Sequence, residues 1–212
     1  MTNFLLRFIT SIIIIPIFLI LVYFQNLFIF LLIALFSICF YELLSVWKKK
    51  NYYLFLVLIF ILIFFEFSIF RLRGNTNQDF VNLVWFFLIV WLTDIGGYIF
   101  GKLIKGPKLS KWSPNKTISG VLGSFFLSQF SYVLINPFLD IKVNYSTKIL
   151  LFQLSLSVMA ILGDLYFSYI KRKICLKDYS NIIPGHGGLL DRIDGLIFAI
   201  ILAFIMDLFN VF

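Results

Sequence analysis

Seven apolar stretches organise this chain, at 4–24, 27–46, 52–70, 80–101, 118–138, 149–170 and 193–211. Each is close to the roughly 20 residues that a helix needs to cross a hydrocarbon core about 30 Å thick. Within lipid no water is available to satisfy a peptide N–H or C=O, so open strands are excluded and every stretch is predicted to be helical. The expected fold is all-α, a polytopic membrane bundle of about seven transmembrane helices forming one integral membrane domain over 1–212. Within it, 1–78 supply N-terminal helices, and 79–212 supply the helices and loops that carry the chemistry. Composition points the same way: 61% of the 212 residues are apolar, 28 are Phe and only 13% are charged, unlike any soluble domain of this size. The first stretch follows a single Arg7 and runs past Pro16 without a small-residue cleavage site, so it reads as a span rather than a removed signal. Cys39 and Cys175 are too few for a disulfide framework and have no metal-ligand spacing around them.

The bases set the expected orientation. Of the 18 Lys and Arg, 14 fall at Arg7, Lys48 to Lys50, Lys102 to Lys116 and Lys171 to Arg192, all on one side of a seven-span arrangement. Only Arg71, Arg73, Lys142 and Lys148 fall on the other. The positive-inside rule makes the richer side cytoplasmic, with the N-terminus in and the C-terminus out. The net charge of +8, clustered between spans, points to lipid head groups, phosphates and topology rather than to nucleic acid.

Polar residues that a plain helical bundle has no need of gather in two of these cytoplasmic segments. The first runs from Thr93-Asp94-Ile95-Gly96-Gly97-Tyr98 through Gly101 and Lys102 to Ser113-Pro114-Asn115-Lys116-Thr117. Asp94, Tyr98 and Gly101 share one helical face. An aspartate at that depth costs a few kcal/mol unless paired or solvated, which marks it either as functional or as a solvated helix end bonded to a loop lysine. After SPNKT, the small residues Ser119, Gly120, Gly123 and Ser124 would let backbone amides at a helix N-terminus approach a phosphate. The G-x-x-x-x-G-K-[ST] order of a P-loop is absent. Read alone, SPNKT serves equally as a polar turn that caps a helix.

The second segment is richer. It contains Gly163-Asp164, Ser168, Lys171-Arg172, Lys177-Asp178, then Pro184-Gly185-His186-Gly187-Gly188, and finally Asp191-Arg192-Ile193-Asp194. Asp164, Ser168 and Lys171 lie on one helical face. Lys171, Arg172 and Lys173 are explained as well by topology alone, but Asp164, Asp178, Asp191 and Asp194 are not, because acidic residues contribute little to orientation. Carboxylates beside lysines and an arginine suit a magnesium nucleotide: hard oxygens hold the metal, and cations neutralise phosphate oxygens. Glycines flanking His186 would let the loop fold tightly against a ligand. Glu42, Glu66 and Asp207 belong to no motif and read as structural, snorkelling or hydrogen-bonded within the bundle.

The run SYIKRKICLKDYSNIIPGHGGLLDRID at 168–194 resembles, without a gap, the signature of the phosphatidate cytidylyltransferases. That signature reads S-x-hydrophobic-K-R-x4-K-D-x-small-x2-hydrophobic-P-x-H-G-G-hydrophobic-x-D-R-hydrophobic-D. TDIGGYIFGK and SPNKT resemble the family's other two blocks at the expected places, so the likeness covers about 90–195. The resemblance implies a membrane-embedded transferase of CTP and phosphatidic acid that uses magnesium, with potassium a candidate second cation. Its site would open to the cytoplasmic face of the inner (plasma) membrane, among membrane lipids, with a homodimer left open. The family's two metal-binding aspartates correspond to Asp164 and Asp191, and its nucleotide- and phosphate-contacting bases to Lys116, Lys171, Arg172, Lys177 and Arg192. Ser113, Asn115, Thr117, His186, Gly187 and Gly188 complete the expected substrate contacts. The chain departs from the family pattern at Ile118 and Ser119, where SPNKTWEG is common, and at Phe167, often Glu. It is also shorter than typical members.

The implied reaction is nucleotidyl transfer, giving CDP-diacylglycerol and pyrophosphate. Asp164 and Asp191 would hold the metal, with Asp94, Asp178 and Asp194 supporting them, while Lys171, Arg172 and Arg192 bind phosphates. Ser168 would fix a phosphate or order Lys171. Two rivals predict other outcomes. A CTP-dependent polyprenol or other lipid-alcohol kinase would transfer the γ-phosphate, and a small multi-span transporter would place polar residues near the membrane midplane in broken helices.

Overall fold

The computed structural model of the protein describes residues 16–139, 146–182 and 187–209. Residues 4–15 of the first expected span, Lys142, and the loop residues Pro184, Gly185 and His186 lie outside them. The described residues form seven helices: α1 (Gln25–Lys48), α2 (Tyr52–Arg73), α3 (Asn77–Leu103), α4 (Ile118–Ser128), α5 (Phe130–Ile135), α6 (Thr147–Lys173) and α7 (Leu190–Leu208). Residues 16–23 are also helical. Among the described residues there is no strand, only an isolated bridge between Lys108 and Thr117.

Five segments are long and apolar enough to cross a membrane: α1, α2, α3, the stretch Ile118–Phe138 and α6. Seven were expected. The first lies largely outside the described residues, and the last became α7, which carries Asp191, Arg192, Asp194 and Asp207. Most helix ends are written locally. Thr76 accepts from Asp79 N while Asp79 Oδ2 accepts from Thr76 N at 2.9 Å, a reciprocal cap that starts α3. Thr117 and Ser146 cap α4 and α6 in the same sense. Lys48, Arg71, Arg73, Lys102 and Lys171 to Lys173 occupy last turns, where the helix dipole favours cations.

The 118–138 stretch does not run as one helix. It breaks at Gln129, between α4 and α5. Gln153 of α6 reaches the carbonyls of Ser128 and Gln129 at 3.3 and 3.4 Å and the Ser131 hydroxyl at 2.7 Å, and the Trp85 indole donates to the same hydroxyl. A neighbouring amide thus satisfies backbone groups that the interruption frees, as irregular backbone at this depth requires. Most of the interior is apolar, with Phe28, Leu43, Leu58, Phe65, Phe86 and Leu156 fully buried. The outer faces are apolar too: Phe30, Phe60 and Val133 stand exposed, a surface suited to lipid and not to water.

Two crossings without side chains between them draw the helices of the C-terminal half together. At the α3–α4 crossing a Cβ on Gly120 would sit 2.8 Å from the Gly97 carbonyl oxygen, and Gly96 faces the Gly123 carbonyl. At the α6–α7 crossing, a Cβ on Gly163 would sit 2.7 Å from the Asp194 carbonyl oxygen, and one on Gly195 2.8 Å from that of Ala160. Small residues permit this approach where lipid supplies no hydrophobic driving force between helices. Thr93 Oγ1, at 2.9 Å from Ser157 Oγ, and Ser124 Oγ, donating to the Thr93 carbonyl at 2.7 Å, then tie α3, α4 and α6 into one unit. Asp94, Asp164 and Asp194 are each within two residues of these contacts, and all three line one cavity.

Candidate active site

Ser113 to Thr117 form the turn that the sequence suggests. Lys116 N donates to the Ser113 carbonyl at 3.1 Å, with Pro114 at the second position. Leu109 N to Lys116 O and Ile118 N to Pro107 O close the loop on itself at 2.8 and 3.0 Å. Thr117 then caps α4 by accepting from Gly120 N at 3.1 Å. The turn and the helix cap are therefore real features of the loop, and the small residues after it pack largely against α3. Trp112 meets Tyr169 edge-on at 5.1 Å, holding the loop against α6 and aiming Lys116 at Asp164, with which it forms an ion pair.

The face of α6 behaves as its spacing predicts. Ser168 Oγ donates to Asp164 Oδ1 at 3.2 Å, so its observed bond orders Asp164 rather than Lys171. One turn further on, Lys171 is buried and its Nζ lies 2.7 Å from Asp191 Oδ1 and 5.7 Å over the Tyr179 ring. Asp191 Oδ2 accepts from Tyr179 N at 3.0 Å and Gly188 N at 3.2 Å. Gly187 has φ of +85°, which favours glycine. A Cβ on Gly188 would stand 2.9 Å from both Asp191 Oδ2 and Glu42 Oε1, so any side chain there has to displace these carboxylates. Burial pushes the Tyr179 phenol far above its ordinary pKa, and the charges of Asp191 and Asp194 push the same way, so its hydroxyl stays protonated.

These elements surround one cavity of about 540 Å³, within the usual range for small-molecule sites. Its walls include Asp94, Tyr98, Ser113, Asn115, Lys116 and Thr117 from the first segment, and Asp164, Lys171, Asp178, Asp191, Arg192 and Asp194 from the second. Two groups distant in sequence thus converge. Ser168, Gly187 and Gly188 are not among the residues that line the cavity, although Ser168 Oγ and Gly188 N bond to Asp164 and Asp191, which are. Arg172 and Lys177 are exposed and do not line the cavity; Arg172 donates to the Leu176 carbonyl at 3.3 Å. His186 lies outside the described residues.

Charge counting constrains the ligand. Lys116, Lys171 and Arg192 line the cavity beside five aspartates, so positive charge added at the aspartates would favour entry of an anionic ligand. Among the described residues no three His, Cys, Asp or Glu side chains gather around one point. Magnesium does not require that, since it commonly takes one or two carboxylates and completes its octahedron with phosphates and water. A carboxylate has about four acceptor positions. Asp164 engages Ser168 on Oδ1 and Lys116 on Oδ2, and Asp191 engages Lys171 on Oδ1 and two amides on Oδ2. The donor set fits a hard divalent cation at Asp164 and Asp191.

Sequence reasoning missed one participant. Glu42, on α1 and 1% exposed, accepts from Ser180 Oγ, Leu189 N and Leu190 N at 2.6, 2.8 and 2.7 Å. It does hydrogen-bond within the bundle as expected, but its partners belong to the loop that holds Asp191. The only signal in the sequence is a carboxylate inside an apolar run.

A profile of the cytidylyltransferase family matches residues 47–209. A protein of Rickettsia conorii (strain ATCC VR-613 / Malish 7) named phosphatidate cytidylyltransferase is 36% identical over 98% of this chain and 93% of its own length. Proteins of the same name from Brucella suis biovar 1 (strain 1330) and Staphylococcus epidermidis (strain ATCC 12228 / FDA PCI 1200) are 37% and 45% identical over 65% and 54% of this chain. Those matches cover 51% and 44% of the relatives, so the chain spans about half of their length. The matched residues include both walls of the cavity, and the chain belongs to the cytidylyltransferase family.

Proposed function

We propose that the protein is a CTP:phosphatidate cytidylyltransferase that forms CDP-diacylglycerol and pyrophosphate. The observation that carries this reading is the convergence of Asp164, Asp191, Lys116, Lys171 and Arg192 on one cavity at the base-rich end of an apolar bundle. A lipid phosphate anchored in the bilayer already lies at that depth. A phosphatidate oxygen attacks the α-phosphorus of CTP; a new P–O bond forms as the bond to the β-phosphate bridging oxygen breaks, and pyrophosphate leaves with the electron pair. Asp164 and Asp191 would hold magnesium, which when bound supplies positive charge to the triphosphate. Lys116, Lys171 and Arg192 orient the two anions and offset charge that spreads in the transition state. A phosphate monoester dianion is itself a nucleophile, so no side chain is assigned as general base.

Lys116 and Lys171 are paired with the two aspartates. Both lysines then have to exchange carboxylate for phosphate when the ligand arrives, which Lys116, in a partly exposed pair, does at lower cost than buried Lys171. Lys116→Ala is expected to raise KM for CTP about tenfold and KM for phosphatidate much less, by loss of a charge-assisted contact. Steady-state kinetics with each substrate varied checks this, and unchanged CTP kinetics would leave SPNKT as a helix cap alone.

The cavity is assigned to the cytoplasmic face of the inner membrane. Lys49 and Lys50, the 104–117 loop and the 174–189 loop follow helices that bring them to one end, and these loops with the helix turns beside them hold 13 of the 18 bases, from Lys48 to Lys50, Lys102 to Lys116 and Lys171 to Arg192. Reporters fused after Lys50 or within 172–182 should read cytoplasmic; a periplasmic reading at 172–182 contradicts the placement. The decisive assay is product analysis by purified protein given CTP and phosphatidate. CDP-diacylglycerol with pyrophosphate supports the reading, whereas CDP with a phosphorylated lipid alcohol identifies a kinase. Transport is disfavoured, because the broken stretch at Gln129 presents amides and hydroxyls bonded within the bundle and the charges collect at one end.

A further inference from the structure

The geometry points to Glu42 as a positioning residue for the Asp191 loop, linking the N-terminal helices to the proposed metal site. A buried carboxylate is costly unless hydrogen-bonded, and this one is met by three donors from two separate segments of the 174–190 region. Leu189, which precedes α7, provides no side-chain cap of its own. Glu42 instead caps the start of α7, accepting from the amide of Leu190, its first residue, and from that of Leu189 before it, and its negative charge suits the positive end of the helix dipole.

The partners of Glu42 interleave with those of Asp191. Asp191 Oδ2 holds the amides of Tyr179 and Gly188; Glu42 holds the hydroxyl of Ser180 and the amides of Leu189 and Leu190. Two carboxylates, one from α1 and one from α7, therefore clamp the same two strands of chain, 179–180 and 188–190. With Glu42 removed, Asp191 alone would hold them, while its other oxygen is committed to Lys171. Glu42 does not line the cavity, so it acts through the Asp191 loop and the first turn of α7, where Arg192 and Asp194 also reside. Glu42→Gln keeps the shape but turns an amide N–H toward one of its donors, whereas Ser180→Ala removes one bond of the three.

This inference rests on Asp191 as a metal ligand, and two measurements separate the two claims. Hydrogen–deuterium exchange on detergent-solubilised protein without substrate should show faster exchange over 176–190 in Glu42→Gln, with peptides from 104–117 unchanged. In the assay with CTP and phosphatidate, the half-saturating magnesium concentration should rise and kcat fall, each about tenfold, as is usual when partners that orient metal ligands are lost. KM for phosphatidate should stay within about twofold if only the metal side is disturbed. Leu58→Ala, a core change in α2 that removes none of these hydrogen bonds, provides the comparison: it should lower thermal stability without shifting the magnesium requirement. Should Glu42→Gln not accumulate, Ser180→Ala should show the same pattern at about threefold, within the range for loss of one hydrogen bond. Unchanged exchange over 176–190, or a response in Glu42→Gln that matches Leu58→Ala in all respects, would overturn the proposal. Faster exchange without a shift in the magnesium requirement would keep the clamp but overturn its link to the metal. If the unmodified protein forms no CDP-diacylglycerol, the proposed function fails while the exchange result still decides the clamp.

Discussion

Asp164→Asn and Asp191→Asn should each reduce CDP-diacylglycerol formation by about a thousandfold or more, the scale expected when charge stabilisation at the reacting phosphates is lost. Asn keeps the size of Asp but loses the charge that a hard divalent cation prefers. The two substitutions differ in their structural consequences. The Lys116–Asp164 pair is about a quarter exposed, so Asp164→Asn removes little stability. Lys171 and Asp191 are 11% and 6% exposed at their side chains, and breaking a buried pair leaves an uncompensated charge at a cost of about 3–5 kcal/mol. Asp191→Asn should therefore lower both turnover and thermal stability, and Asp164→Asn mainly turnover. The double variant should turn over hardly less than either single one, because residues that act as a unit are strongly non-additive. Turnover by Asp164→Asn within tenfold of the unmodified protein at saturating magnesium would refute the shared metal site.

The second large effect comes from a position with no functional group. Gly163→Val is expected to destabilise the protein by about 3 kcal/mol, at the upper end for overpacking a rigid interior. The first added carbon already lies 2.7 Å from the Asp194 carbonyl oxygen and 3.2 Å from Gly195 Cα. Both are backbone atoms, so α6 and α7 have to separate. Asp164 and Asp194 move apart with them, and a displacement of about 1 Å at a reacting centre is enough for about a hundredfold loss of turnover. Gly97→Ala is the contrasting case, since its Cβ meets only the Ser124 hydroxyl at 2.9 Å and the Gly120 carbonyl at 3.9 Å; it should cost about 1 kcal/mol. Thermal unfolding in detergent, measured beside turnover, checks both. An unmodified melting temperature and rate in Gly163→Val would show that the crossing is not as rigid as these contacts require.

What the sequence determined by itself is what depends on composition and near neighbours. Apolar runs of spanning length must be helical because lipid leaves their peptide groups no other partner. The Ser113–Lys116 turn and the Thr117 cap follow from residues within four positions of each other. Asp164, Ser168 and Lys171 share a face because of helical period alone, and the signature at 168–194 indicated the chemistry before any contact was known. Tertiary structure decided the rest, because side chains of the same type find different partners according to which helices touch. Glu42, Glu66 and Asp207 look alike as acids in apolar runs, yet Glu42 alone is met by the amides of Leu189 and Leu190, 147 and 148 residues away. The Gln129 break is stabilised from α6 by Gln153, and the meaning of Gly163 appears only when α7 lies against it. Arg172 and Lys177 share the signature with Lys171, but the helix and loop turn only Lys171 inward, to a buried carboxylate that offsets the cost of its charge.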